Sequence, residues 1–201
     1  MANSPEKGST ITVDPIRSRA KIADIKKVLA DSPRNLCLFV VGINVALRAS
    51  DLVRLKVGQV RRLKVGDLLR IAEKKTAGRK APRPITWNQS AADAVAAWLP
   101  QHPAADDDAA ALFPSQKGGG REAITVQHVH RLVKGWCARV GLPGNYGSHT
   151  LRKTWGYHQR TTFGTDIGVI MQAYGHSRPN VTMRYLGIQP SEVEGAYLHT
   201  L

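Results

Sequence analysis

The sequence is poor in acidic residues. Asp and Glu number 15 against 29 Lys and Arg, so the 201-residue chain carries a formal net charge of +14. An excess of this size indicates a polyanionic partner, most often a nucleic acid. A ribosomal-type or merely basic protein is the alternative that charge alone leaves open.

Long apolar runs, aromatic residues and cysteines are also scarce. The chain has no run of eighteen apolar residues and no apolar segment at its N-terminus, so we expect no membrane span and no secretory signal but a cytoplasmic protein. Aromatic residues make up 6%, which argues against a platform that stacks single-stranded bases. We interpret Cys37 and Cys137, which lie in apolar helical patterns, as buried thiols rather than a disulfide or metal pair.

Hydrophobic periodicity predicts a mainly α fold with one small antiparallel β-sheet, that is, an α+β domain. Residues 1–15 are expected to be a flexible lead, and residues 16–201 the domain. Strands Leu68–Glu73 and Arg83–Trp87 flank a basic hairpin tip, and residues 100–121 form a loop anchored at Leu112-Phe113-Pro114. The predicted helices are Arg19–Asp31, Leu36–Leu47, Ala49–Leu55, a helix of residues 91–99 capped by Asn88, Thr125–Val140, a helix near His149 capped by Ser148, Asp166–Tyr174, Pro179–Leu186 and a tail helix at about 190–201.

Two arginines, two histidines and a tyrosine form a set that suits phosphoryl transfer. A phosphodiester under attack builds negative charge on its non-bridging oxygens, which the planar donors of Arg48 and Arg152 could clamp. Tyr185 needs cationic neighbours or a base, because only about one free tyrosine in a thousand is ionised at neutral pH. His149 shares a helical face with Arg152, where it could accept that proton or donate to a phosphate oxygen. His176 could add a further hydrogen bond to the phosphate.

A leaving 5′-oxygen needs a proton, and a lysine on the basic hairpin could supply it as general acid. Lys74, Lys75 and Lys80 are all available there. We expect Asp51 to support an arginine or a helix cap rather than to act in the chemistry. The His128-x-His130 pair resembles half a metal site, but it lacks an acidic or sulfur partner nearby in sequence, so we interpret it as a surface helix face.

In this order and spacing the motifs resemble the catalytic domain of the tyrosine recombinases, also called phage integrases. The matching segments are Leu47-Arg48-Ala49-Ser50-Asp51-Leu52, Lys75-Thr76, His149 with Arg152, Tyr174-Gly175-His176 and Thr182-Met183-Arg184-Tyr185-Leu186. The resemblance covers about residues 20–190, fills every catalytic position of the family with Lys75 as the hairpin lysine, and implies the fold of DNA breaking-rejoining enzymes. Tyr174 stands where leucine is usual, and we interpret it as tolerated packing.

The resemblance implies a site-specific DNA recombinase that uses no metal or other cofactor. Tyr185 would attack double-stranded DNA, form a 3′-phosphotyrosyl bond and release a 5′-hydroxyl, and a second strand end would reverse the step. The implied protein is associated with the nucleoid and assembles on DNA as a homotetramer that exchanges the tail helix; a tail folded back on its own domain fits the sequence equally well.

The sequence leaves two other questions open. The N-terminal helical DNA-binding domain of most family members has no counterpart here, so we expect either a catalytic-domain-only member or a fragment. A DNA-binding relative that no longer cuts, or a type IB topoisomerase-like enzyme that relaxes supercoils, remains an alternative function.

Overall fold

A computed structural model describes residues 13–72, 82–116, 120–186 and 190–200. The helices are α1 (Arg19–Val28), α2 (Pro33–Asn44), α3 (Ala49–Leu52), α4 (Val57–Val60), α5 (Gln89–Trp98), α6 (Val126–Arg139), α7 (Thr150–Thr161), α8 (Ile167–Tyr174), α9 (Pro179–Leu186) and α10 (Pro190–Ala196). The strands are β1 (Leu68–Ile71) and β2 (Arg83–Thr86), and a 3₁₀ turn, Leu99–Gln101, follows α5. The predicted mainly helical fold is confirmed.

Side-chain caps start several of the helices. The Asn88 side chain accepts a hydrogen bond from the Ala91 N–H at 2.9 Å, as predicted for the start of α5. The predicted cap at Ser148 is wrong, because His149 occupies the N-cap position of α7 and makes no side-chain cap. Instead the Thr150 hydroxyl accepts from the Gly147 N–H at 3.1 Å, which fixes the turn before the helix.

Helix α2 lies at the centre of the core. It is apolar nearly all round, as the sequence predicts, and it packs against α5 and α7. Its Phe39 ring meets the edge of Trp136 from α6 at 5.9 Å between centroids. The helix ends at Asn44 rather than at Leu47, because Ala46 adopts a left-handed backbone conformation with φ of 53° that no α-helix continues.

The sheet is a two-stranded antiparallel pair in which Leu69 lies opposite Ile85. Both side chains are buried, so one face of the sheet covers the core. Each strand is shorter than predicted. Between α3 and the sheet, where no helix was predicted, the chain forms the single helical turn α4.

The loop before α6 is anchored as predicted. Leu112 and Phe113 are fully buried, and the Leu112 carbonyl accepts a hydrogen bond from the Trp98 indole N–H at 2.8 Å. Both cysteines are buried free thiols. No helix in the described part of the chain is long and apolar enough to cross a membrane.

A second, smaller core joins the C-terminal helices to the loop before α3. Ala46, Ile170, Tyr174 and Leu186 form its buried centre. Helices α7, α8 and α9 all pack on one another around it. This small core brings the three motif-bearing segments of the C-terminal half within reach of the Arg48 segment. Beyond it, Arg160 of α7 forms a two-bond ion pair with Glu192 of α10, with N–O distances of 2.6 and 3.1 Å.

Candidate active site

Arg152 is fully buried in the first turn of α7, and its guanidinium is held on several sides. Nη1 donates to the carbonyl of Ala46, and Nη2 donates to the carbonyl of Tyr174 at 2.6 Å. Burial, followed by the charge of Arg48, lowers the pKa of Arg152 to about 10, so the group remains protonated at neutral pH. The result is a cation fixed in place before any ligand arrives.

His176 enters the site from the turn that ends α8. Gly175 adopts a left-handed conformation with φ of 66°, which reverses the chain and brings the imidazole back toward Arg152. His176 Nε2 lies 3.3 Å from Arg152 Nη2, and Nδ1 lies 2.9 Å from the hydroxyl of Thr182. Because a guanidinium can only donate, Nε2 accepts, and we infer that the neutral ring carries its proton on Nδ1, facing Thr182.

His149 and Tyr185 meet at the outer side of Arg152. The Tyr185 hydroxyl on α9 lies 3.4 Å from His149 Nδ1. His149 is exposed on one side, but desolvation by its neighbours lowers its pKa, and the charges of Arg152, Lys153 and Arg48 lower it further. The imidazole is therefore neutral at pH 7 and has a lone pair available for the tyrosine proton.

Arg48 stands at the start of α3, close enough for its charge to depress the pKa of both Arg152 and His149. The neighbouring left-handed residue, Ala46, turns its carbonyl toward Arg152. Asp51, in the same short helix, is buried, and its supporting role stays a prediction. A single turn of chain thus supplies one arginine and fixes the other.

The three hairpin lysines, Lys74, Lys75 and Lys80, lie outside the described residues. The strands that lead to them are described, and β2 is tied to the site by Arg83. Its Nη1 donates to the carbonyl of Ala173, the residue before Tyr174. The base of the hairpin is therefore attached to the turn that carries His176.

Four residues at the site were not singled out from the sequence as members of it. Arg83 and Thr182 hold the two sides of the His176 turn. Lys153 Nζ lies 5.9 Å from the centre of the Tyr185 ring, and burial lowers the pKa of that lysine. Tyr174 lies beneath the whole group. Thr182 precedes Tyr185 by three residues on one helix, which is the one spacing signal that could have identified it.

The arrangement suits an anionic ligand. Arg48, Arg83, Arg152 and Lys153 surround two imidazoles, so a bound phosphate would meet several positive charges. Among the residues with described structure, no group of three or more His, Cys, Asp or Glu side chains could hold a metal ion. His130 is exposed and His128 half-buried on α6, in agreement with the surface-face interpretation.

Comparison with known proteins gives the family. The profile of the Phage integrase family matches residues 18–192. The chain is 36% identical over 188 residues to a probable integrase/recombinase, YoeC, of Bacillus subtilis (strain 168), covering 92% of this chain and 95% of that protein. It is 27% identical over 169 residues to the tyrosine recombinase XerC of Haemophilus ducreyi (strain 35000HP / ATCC 700724), covering 82% of this chain but only 52% of XerC.

Solved structures share the fold. The XerA recombinase superposes with a TM-score of 0.72 at 19% identity, over 96% of this chain and 65% of that one. The site-specific recombinase XerH, bound to a palindromic difH substrate in a post-cleavage complex, gives a TM-score of 0.71 at 20% identity, over 97% of this chain and 55% of that one. At such low identity these matches establish the architecture, while the family rests on the sequence matches. The chain belongs to the phage integrase family, the tyrosine recombinases.

Proposed function

We propose that this chain is a site-specific recombinase that cleaves and rejoins double-stranded DNA through a 3′-phosphotyrosyl intermediate. The observation that carries the proposal is the convergence of Tyr185 and His149, 3.4 Å apart, on a buried and immobilised Arg152. A nucleophile, a base and a preorganised cation within one small core are the parts that a phosphodiester transfer requires.

In the proposed cleavage step the Tyr185 oxygen attacks the scissile phosphorus while its proton passes to His149 Nδ1. Arg48 and Arg152 stabilise the negative charge that develops on the non-bridging oxygens. The bond from phosphorus to the 5′-oxygen breaks, and that oxygen takes a proton from a hairpin lysine, for which Lys75 is our candidate. The products are a 3′-phosphotyrosyl bond and a free 5′-hydroxyl.

Rejoining reverses these steps with a new strand end. A 5′-hydroxyl gives its proton back to the lysine and attacks the phosphotyrosyl phosphorus, and His149 returns a proton to Tyr185. The number of phosphodiester bonds in the DNA is the same before and after the reaction, because each bond that is cleaved is replaced by a phosphotyrosyl bond until the strands are rejoined. The reaction therefore needs no nucleotide or metal to drive it.

The net charge of the chain and its similarity to known recombinases support DNA as the substrate. The net charge of +14 favours a polyanion, and XerH was solved on its DNA substrate. We further propose a homotetramer on paired sites, acting at the nucleoid, in which the tail with α10 is passed to a neighbouring subunit. The ion pair of Arg160 with Glu192 is the contact that such an exchange would have to break.

The test needs no known target site. Fragmented genomic DNA is incubated with the protein, the protein is denatured, and DNA that remains covalently attached is recovered and sequenced. We expect adducts at a small number of sequences with the native chain and none with Tyr185→Phe. Adducts at many unrelated sequences would favour a topoisomerase-like enzyme. DNA binding without adducts in either protein would favour a relative that no longer cuts.

A further inference from the structure

We infer that Tyr174 is a positioning residue for DNA cleavage, one whose ring and hydroxyl hold Arg152, His176 and Tyr185 in their mutual arrangement. The inference rests on the proposed function, because it concerns the same site. It also replaces the interpretation of Tyr174 as tolerated packing, since the residue does far more than fill space.

Tyr174 holds Arg152 at both ends. Its hydroxyl donates to the backbone carbonyl of Arg152 at 2.9 Å, which fixes the place where the side chain starts. Its own carbonyl accepts from Nη2 at 2.6 Å, which fixes the place where the side chain ends. Between them the guanidinium carbon lies 4.5 Å from the centre of the Tyr174 ring, within the range of a cation–π contact.

The same ring supports the other two groups. His176 stacks on it with centroids 5.0 Å apart and planes 29° apart, and Tyr185 lies 5.3 Å away at 51°. The rings of His176 and Tyr185 and the guanidinium of Arg152 thus all contact the fully buried ring of Tyr174. A leucine at this position would supply apolar volume, but it has neither the flat face nor the hydroxyl.

Gly156 leaves room for the Tyr174 hydroxyl. It lies one helical turn beyond Arg152 on α7, and a Cβ at this position would overlap with the Tyr174 hydroxyl oxygen. Glycine is unfavourable inside a helix, so its presence here needs a local reason, and the tyrosine hydroxyl supplies one. Burial also raises the pKa of Tyr174, which keeps the hydroxyl protonated as a donor at any pH used for an assay.

The experiment uses the DNA recovered as covalent adduct in the mapping test above. Single-turnover adduct formation is measured at saturating DNA, and DNA affinity is measured separately by titration. The variants are Tyr174→Phe, which loses only the hydroxyl, and Tyr174→Leu, which loses the platform. Phe113→Leu is the control, because it also exchanges a fully buried aromatic for leucine but lies in the main core.

We expect Tyr174→Leu to cleave about a hundredfold more slowly, because a displacement of about 1 Å at the reacting groups lowers a rate by about that factor. Its DNA affinity should stay within about twofold, because the basic residues that contact phosphate are unchanged. Tyr174→Phe should cleave about three- to tenfold more slowly, since the ring platform remains but the hydrogen bond to the Arg152 carbonyl is lost. Phe113→Leu should lower the melting temperature about as much as Tyr174→Leu does, but it should cleave DNA at close to the native rate.

A double-mutant cycle tests the match with Gly156. Gly156→Ala should slow cleavage when Tyr174 is present, because the methyl group collides with the hydroxyl. In the Tyr174→Leu background the same change should not slow cleavage further. Equal effects in both backgrounds would show that the two residues do not act together.

A third readout does not depend on cleavage. The ring current of a stacked tyrosine displaces the His176 Cε1 proton resonance upfield, so Tyr174→Leu should move it downfield while Tyr174→Phe should leave it nearly unchanged. If the native protein forms no adduct, the proposed function fails and the resonance still decides whether Tyr174 positions His176. Cleavage by Tyr174→Leu within threefold of the native rate, or a rate loss no greater than that of Phe113→Leu, would overturn the inference, as would an unmoved His176 resonance.

Discussion

The Tyr185 hydroxyl and His149 Nδ1, from residues 36 positions apart in sequence, lie 3.4 Å from each other. The distance is slightly longer than an ordinary hydrogen bond between hydroxyl and imidazole, so a small movement of α9 would suffice to bring the two atoms to bonding distance. His149 is exposed, but desolvation and the nearby cations lower its pKa, so the imidazole is neutral at pH 7 and can accept a proton.

The first prediction concerns the pH dependence of cleavage. The pKa of His149 lies below its ordinary value of 6.5, so the neutral acceptor persists into mildly acidic solution. We expect the single-turnover rate to be insensitive to the titration of His149 from pH 8 to 6.5 and to fall at lower pH as the imidazole becomes protonated. His149→Gln should be slower and lose this acid limb; an unchanged limb would exclude His149 as the base.

The same shift affects stability. A histidine whose pKa is lowered in the folded state binds protons more readily in the unfolded state. His149 therefore favours folding above pH 6.5, the ordinary pKa of histidine, and this contribution is lost as the pH falls through the lowered pKa of the folded state. Urea titrations between pH 8 and 5 should show the free energy of unfolding falling on the acid side. His149→Gln should reduce the slope without abolishing it, because the pKa of His128 is also lowered.

The second prediction concerns Arg48, which is less buried than Arg152. Arg48 is only partly buried, whereas Arg152 is fully buried with two backbone carbonyls as acceptors. Arg48→Ala should therefore lower cleavage by about a hundredfold or more while changing the free energy of unfolding by about 0.5 kcal/mol or less. The control is Lys27→Ala, which removes one exposed charge from α1. Equal cleavage by the two variants would remove Arg48 from the site.

The third prediction identifies the general acid. A substrate with sulfur in place of the bridging 5′-oxygen at the scissile phosphate has a leaving group that needs no proton. Alanine variants of Lys74, Lys75 and Lys80 should be compared on the oxygen and sulfur substrates. We expect Lys75→Ala to be slow with oxygen and close to the native rate with sulfur. Rescue of Lys74→Ala or Lys80→Ala instead would reassign the acid.

The fourth prediction concerns the left-handed residue beside Arg48. Ala46 is buried and is the one non-glycine residue with positive φ in the described ranges. A β-branched side chain is strained in this conformation, so Ala46→Val should lower the free energy of unfolding by about 2 kcal/mol or more. Cleavage should fall as well, because the Ala46 carbonyl would no longer be aligned with Arg152. Unchanged stability in chemical denaturation would contradict the strain.

The fifth prediction is the salt dependence of DNA binding. Each phosphate contact made by a lysine or arginine contributes about 0.9 to the slope of log affinity against log salt. We expect a steep negative slope for the native chain. For Arg48→Ala the slope should be shallower by about 0.9, the contribution of one phosphate contact. A slope near zero would contradict DNA as the partner.

Most of the helices and the candidate residues of the site could be predicted from the sequence. Periodicity placed α2 at the centre of the core, capping residues marked the start of α5, and the alternating strands gave the sheet. The Arg48 segment, His149 with Arg152, and the pair His176 and Tyr185 were recognisable because helix and turn geometry fixes the spacing within each motif. These are local features, which a short stretch of chain specifies on its own.

The way in which the motifs meet follows from tertiary packing and could not be predicted from the sequence. The left-handed Ala46 accepts a hydrogen bond at its carbonyl from the guanidinium of Arg152, 106 positions away, and no local pattern predicts that contact. The platform role of Tyr174 and its match to Gly156 arise where α7, α8 and α9 pack together. Burial and neighbouring charge, which set the protonation of His149 and Arg152, are likewise properties of packing, because they depend on groups brought close from distant parts of the chain.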